Sequence, residues 1–190
     1  MTRPESIQGV APFIARILAR RGVESELELQ LKLKHLLAPE MKGLSAAIQL
    51  MDQAIDQQKK IVIVGDYDAD GATSTALMIL VLREMGAQVD YLVPDRFKYG
   101  YGLTPAIADL AFASFAPDLL ITVDNGISSH AGVDQAHAHG MQVIITDHHL
   151  TTKETPPAEA VVNPNQLGCD FASKALAGVG VAFYVLANLS

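Results

Sequence analysis

The chain carries a single cysteine, Cys169, so no disulfide can close within it. It lacks any run of about 20 apolar residues, the length that crosses a bilayer. No basic–apolar leader opens it either: Arg3, Pro4 and Glu5 come early, and no apolar stretch of signal length follows. These absences predict a cytoplasmic protein with no membrane partner. Internal repeats and low-complexity tracts are missing too. Positive charge is scarce, with 14 Lys and Arg against 21 Asp and Glu, a net charge of −7. That is the wrong sign for a chain that grips phosphate backbones on its own, because such affinity comes largely from clustered Lys and Arg. The excess acid means something else if several carboxylates share one site, where metal ions neutralise them.

What the chain does have is apolar mass. Apolar residues make up 49% of its 190 and charged residues 18%, within the globular range. A chain of this length can bury roughly 70% of its unfolded surface without staples. Residues 1–60 read as a helical N-terminal segment. Phe13, Ile14, Ile17 and Leu18 have helical spacing, with Gly22 a stop. Leu27, Leu29, Leu31 and Leu33 alternate with polar residues as in a strand, but all are strong helix formers, so helix is expected. Ala46, Ala47, Leu50, Met51, Ala54 and Ile55 give a clearer amphipathic helix.

From Ile61 the pattern changes. Short apolar runs at 61–65, 88–93, 118–123, 142–146 and 160–162 alternate with helical stretches at 73–85, from Thr104-Pro105, at 129–139 and at 180–189. Thr104 suits an N-cap and Pro105 a first helical position. Strands alternating with helices predict an α/β fold, a doubly wound, mainly parallel five-stranded sheet with flanking helices. The expected division is 1–60 and 61–190, with a linker-like stretch at 151–157.

The acids fall where such a sheet binds ligands. Asp66, Asp68 and Asp70 follow strand one, Asp124 follows strand three, and Asp147-His148-His149 follow strand four. In open parallel sheets ligands bind at the carboxyl ends of strands, most often where the strand order reverses. With the order 2-1-3-4-5, these groups converge. Carboxylates this close raise one another's pKa unless a positive charge sits between them. Oxygen donors suit Mg²⁺ or Ca²⁺, and added imidazole moves the preference toward Mn²⁺. Two ions sharing a carboxylate can activate water against a phosphoryl group.

Blander readings are weaker in combination. Asp66-x-Asp68-x-Asp70-Gly71 matches the start of a calcium-binding EF-hand loop, yet its twelfth position is Leu77 and a strand precedes it. A dinucleotide site needs Gly-x-Gly-x-x-Gly after the first strand, and here three acids stand instead. His35, His130, His137, His139 and Cys169 read as structural or solvated.

Val64-Gly65-Asp66-Tyr67-Asp68-Ala69-Asp70-Gly71, Val123-Asp124-Asn125-Gly126 and Asp147-His148-His149 resemble the first three motifs of the DHH phosphoesterase superfamily. Gly100-Tyr101-Gly102-Leu103, Asn163-Pro164-Asn165 and the stretch from Leu176-Ala177-Gly178 onward resemble its single-strand-specific DNA exonuclease branch. The resemblance implies 5′ to 3′ hydrolysis of single-stranded DNA in repair and recombination, with two Mn²⁺ or Mg²⁺ ions. By motif, Asp68, Asp70, Asp124 and His148 resemble metal ligands, with Asp124 as the bridge. His149 resembles the imidazole that contacts the scissile phosphate. Asp66 is either a ligand or an acceptor behind the ligands, and Asp147 orients its neighbours. Arg96 and Tyr101 are expected substrate contacts, for phosphate and for base stacking. The family has a further metal-binding Asp downstream, for which this chain offers no candidate. Very low nuclease activity is therefore expected of these 190 residues alone, and self-association through the apolar C-terminal helix. The catalytic motifs equally allow oligoribonucleotides or cyclic dinucleotides as substrates.

Overall fold

The computed structural model describes residues 7, 9–30, 32–151 and 153–189. Leu31, Thr152 and the opening Arg3, Pro4 and Glu5, on which expectations above rest, lie outside them. Contacts divide the chain into two compact units, Met1–Ala38 and Pro39–Ser190. The larger unit thus begins at Pro39 rather than Ile61.

In the smaller unit, α1 (Pro12–Arg20) begins on a proline that suits a first helical position. The leucine-rich stretch beyond it departs from the expected helix. Two short 3₁₀ turns stand there, Glu26–Leu29 and Leu33–His35. Ser25 and Glu28 form a reciprocal cap on the first turn, satisfying backbone N–H groups that a longer helix would bond internally. Strand-like alternation of leucines gives a helix no single apolar face to bury, and propensity alone is a weak guide.

In the larger unit, β1 (Lys60–Gly65), β2 (Gln88–Leu92), β3 (Leu119–Val123), β4 (Gln142–Thr146) and β5 (Ala160–Val162) run parallel in the order β2-β1-β3-β4-β5. This is the doubly wound sheet that the alternation of elements predicts. Its inner strands β1, β3 and β4 are apolar at most positions because both faces are covered, whereas edge strand β2 exposes Gln88 and Asp90. Ile61, Ile63, Leu119, Ile121, Val123 and Ile144 point into one core with α2 (Leu44–Asp56), α3 (Ala69–Glu84) and α7 (Gly178–Leu186). Their neighbours Val62, Val64, Leu120, Val143 and Ile145 point into the other, with α5 (Pro105–Phe115) and α6 (His130–Ala138). Helix α2, from the expected N-terminal segment, therefore belongs to the sheet-bearing unit.

Two helix starts differ from the spacing-based expectation in ways that matter for the site. Helix α3 begins at Ala69, four residues before 73, so Asp68 is its N-cap and Asp70 lies in its first turn. Helix α7 begins at Gly178 and runs to Leu186, with Val181, Ala182, Tyr184, Val185 and Leu186 buried in the first core. Thr104 caps α5 as predicted, accepting the Ile107 N–H. A one-turn helix α4 (Arg96–Tyr99) follows β2. No helix among the described residues is long and apolar enough to cross a membrane.

Candidate metal centre

Strand register assembles the site. Gly65 pairs with Val123, and Val123 with Thr146, so the last residues of β1, β3 and β4 stand level. The next residue of each strand is an acid: Asp66, Asp124 and Asp147. The switch point of the sheet lies between β1 and β3, where a cleft opens.

Asp68 and Asp70 arrive by another route. The chain turns sharply from Asp66 into α3, and Gly71 permits it, since a Cβ there would stand 2.4 Å from the Asp66 carbonyl oxygen. Asp68 Oδ1 accepts the Gly71 N–H at 3.0 Å, as an N-cap carboxylate does. Asp70 Oδ2 accepts the Gly178 N–H at 3.3 Å and faces His148 Nε2 at 3.9 Å.

Asp124 is at the centre. It sits in the left-handed region with φ 61°, which an aspartate tolerates, at the head of the Asp124-Asn125-Gly126 turn. Asn125 pins that turn by donating to the carbonyls of Val64 and Val123 at 3.1 and 2.9 Å. Asp124 is 1% exposed, and its Oδ1 takes no hydrogen bond, although His148 Nε2 lies 3.1 Å away. Donor atoms of Asp66, Asp68 and Asp124 lie within 4.8 Å of one another, as do those of Asp124, His148 and His149. Asp124 is common to both groups. Asp70 belongs to neither; it flanks them through His148 and Gly178.

The histidines are held by different partners. His148 Nδ1 stands 3.0 Å from the Leu176 carbonyl oxygen, to which it can only donate. In the neutral ring Nε2 then keeps its lone pair, directed at Asp124 and Asp70. His149 Nδ1 donates to Asp147 Oδ1 at 2.7 Å, and its Nε2 meets the Tyr101 hydroxyl at 3.2 Å. Asp147, buried, also accepts the backbone N–H groups of His148, His149 and Ile127. Both of its oxygens are so engaged, and they hold the loop. Arg96 lies 4.3 Å over the Tyr67 ring, and Pro94, Arg96 and Tyr101 line the cleft beside Asp66.

Charge in the site is unbalanced. Burial, and next Asp68, push the Asp124 carboxyl up to about 7. Burial and Asp68 likewise raise Asp66, against the pull of Arg96. Burial works to raise Asp147, but hydrogen bonds from His149 and Ile127 outweigh it and hold the group below its usual range. The Asp147 bond raises His149. Burial, then Asp147, raises Tyr101, which stays a hydroxyl and a donor.

The remaining histidines lie elsewhere. His35 is in the smaller unit near the Gln30 carbonyl, His130 is exposed, and His137 and His139 pair with Glu159 and Asp109. Cys169 is buried in the first core. Spacing alone gave no role to Leu176 and Gly178, which touch the site through backbone atoms, or to Asn163 and Asn165, whose side-chain amides donate to the His149 and His148 carbonyls. A Cβ on Gly178 would stand 2.3 Å from Asp124 Oδ1. The only sequence signals were an Asn-Pro-Asn after a short strand and glycines opening an apolar helix.

Residues 60–190 match the DHH family, N-terminal domain. The chain is similar to the single-stranded-DNA-specific exonuclease RecJ of Dickeya dadantii, 52% identical over 188 residues, covering 98% of this chain and 32% of the relative. It is 45% identical over 182 residues to the RecJ of Bacillus subtilis, covering 92% of this chain and 23% of that protein. The chain thus spans about a third or less of these curated relatives' length. Among solved structures, it is similar to RecJ in complex with Mn²⁺ from Thermus thermophilus, with TM-score 0.74 and 36% identity over 93% of this chain and 24% of that one. A structure of exonuclease RecJ bound to manganese gives TM-score 0.72 and 38% identity, covering 82% of this chain and 41% of that one.

Proposed function

Since the chain belongs to the DHH family and carries its N-terminal domain at residues 60–190, we propose that it is the metal-binding part of an enzyme that hydrolyses single-stranded DNA from the 5′ end. The observation that carries the metal half is Asp124. A buried carboxylate with an unpartnered oxygen, shared by two groups of converging donors, is costly unless a cation sits among them. The donors fit Mn²⁺ or Mg²⁺: carboxylates with one imidazole whose lone pair is freed by the Leu176 carbonyl. Asp68, Asp70, Asp124 and His148 would hold two such ions; Asp124 is common to both groups of donors, and Asp66 adds a carboxylate to the first. Bound there, the ions supply an activated water and neutralise charge on the phosphoryl group.

The chain's other groups act on substrate. His149, oriented by Asp147, presents Nε2 toward the Tyr101 hydroxyl and the cleft; with its ring protonated, which the Asp147 bond favours, Nε2 can donate to a phosphate oxygen. Tyr101 adds a hydroxyl donor beside it. Arg96 offers a fork for a phosphate, and the exposed rings of Tyr67 and Phe97 offer faces for unpaired bases. A role in repair and recombination places the protein in the cytoplasm. Self-association through α7 would draw on apolar residues left partly exposed, such as Val179 and Phe183, with Leu189 just beyond it, and light scattering reads it.

Calorimetric titration of manganese into the wild-type chain and Asp70→Ala tests the metal half. A loss of about 10-fold or more in affinity is expected, and equal binding by both proteins would sink it. The substrate half is read on a protein of the relatives' length containing these residues. Mononucleotide release from long 5′-ended single strands is expected, and preference for dinucleotides would reverse the proposal.

A further inference from the structure

The segment between β5 and α7 forms a closed circuit with His148. Asn165 Nδ2 donates to the His148 carbonyl at 2.6 Å and to the Lys174 carbonyl at 3.2 Å. Both partners are acceptors, so only the amide NH₂ can face them, which fixes the side-chain orientation. Two residues beyond Lys174, the Leu176 carbonyl accepts from His148 Nδ1. The side chain of Asn165 therefore ties the backbone of His148 to the strand of chain whose carbonyl fixes the His148 imidazole. Lys174 draws the same loop tight, donating to the carbonyls of Pro164 and Cys169 at 2.6 and 2.7 Å. Asn163, fully buried, accepts the Asn165 N–H at Oδ1 and donates to the His149 carbonyl at 3.0 Å.

This circuit matters because residues 147–150 have no regular structure. Their carbonyls have no ladder partners, and without the two asparagine amides they would turn to water. The imidazole of His148 would then be set only by its immediate surroundings. In free histidine the proton prefers Nε2, the atom that here faces Asp124 and Asp70. A proton on Nε2 removes the lone pair that a metal needs, so the tautomer decides whether His148 can ligate.

We infer that Asn165 is a positioning residue, locking His148 in its Nδ1–H tautomer by holding the Leu176 carbonyl against it. This deepens the metal-site reading and rests on it only for the consequence, not for the tautomer. Asn165 is half-buried, so its replacement leaves the cores intact.

The test is long-range ¹H–¹⁵N spectroscopy of the metal-free chain at a pH where imidazole is neutral, with manganese calorimetry beside it. Wild type should show His148 as the Nδ1–H form. In Asn165→Ala, His148 should shift toward Nε2–H, while His149, held by Asp147, keeps its tautomer as an internal reference. Manganese affinity should fall about 10–100-fold, as for loss of an outer partner of a metal-bound histidine. Asn165→Asp keeps the shape without donors and should behave as alanine does, which also covers failure of the alanine variant to fold. A role confined to packing would lower the thermal midpoint and leave the tautomer alone. An unchanged tautomer in both variants overturns the inference. If wild type binds no manganese yet the tautomer shifts, the metal-site reading fails and the positioning role stands.

Discussion

Asp124→Asn is expected to remove tight manganese binding and, in the absence of metal, to raise the thermal midpoint by about 5 °C. The two effects come from one cause. Asp124 is the carboxylate shared by both groups of donors, so its loss should cost more than the about 10–100-fold typical of an outer partner. Without metal the same carboxylate is a burden, being 1% exposed, with an unpartnered Oδ1 and acids at 66, 68, 70 and 147 around it. Burying such a group costs roughly 1–3 kcal/mol beyond a satisfied one. At this chain length each kcal/mol moves the midpoint by about 2–4 °C. Asparagine keeps the volume, accepts the left-handed φ of 61° and carries no charge. Calorimetry reads the first effect, and thermal melting in chelator reads the second. A lower midpoint in chelator would mean that the Asp124 carboxylate holds the fold together even without metal.

Gly178→Ala is expected to damage both fold and site, while Gly180→Ala two residues on leaves both nearly untouched. A Cβ on Gly178 would lie 2.3 Å from Asp124 Oδ1, 2.7 Å from its Cγ and 3.0 Å from its Cβ. Asp124 cannot retreat, because its backbone is pinned in the turn by Asn125 and by its own N–H bond to the Thr146 carbonyl. The start of α7 must move instead. That movement takes the Gly178 N–H from Asp70 and the Leu176 carbonyl from His148. Overpacking of this kind costs about 1–3 kcal/mol, and manganese affinity should fall by about 10-fold or more. The Cβ of an alanine at 180 would instead meet only the side chain of Leu176, at 2.5 Å from Cδ1 and 2.8 Å from Cγ, which a change of rotamer at Leu176 relieves. Alanine also suits a helix interior better than glycine by about 1 kcal/mol, which offsets the contact. Denaturant midpoints and manganese titrations of the two variants separate a steric effect on the site from a general effect of lost glycine. Equal behaviour would show that Gly178 has no special place beside Asp124.

Much of the larger unit was legible because its information is local. Apolar runs of strand length, broken by helical spacing and by Thr104-Pro105, mark the elements, and the right-handed rule for parallel crossovers leaves few orders for them. The observed order, β2-β1-β3-β4-β5, places the switch between β1 and β3, where the acids were expected to meet. The start of α3 was less legible. Spacing pointed to 73 because residues 69–72 are polar or small, whereas the helix begins at Ala69, capped by the Asp68 carboxylate. In the smaller unit α1 stands where helical spacing pointed, but the leucine-rich stretch was misread, since leucines two apart satisfy neither a helical face nor a paired strand.

The sequence by itself determined which ionisable side chains follow which apolar runs: the acids at 66, 68, 70 and 124, and the Asp147-His148-His149 loop. Each is announced by side-chain identity and by its position after an apolar run. Tertiary structure alone decided how those groups are poised. The lone pair of His148 is set by the Leu176 carbonyl, the closeness of α7 to Asp124 by a missing Cβ at Gly178, and the histidine loop by amides from Asn163 and Asn165. Two of these determinants are a backbone carbonyl and an absent atom, which residue type does not encode. The others, the two asparagine amides, lie 14 and 17 residues along the chain from the groups they hold, and only the packing of the chain beyond β5 against the histidine loop brings them into contact.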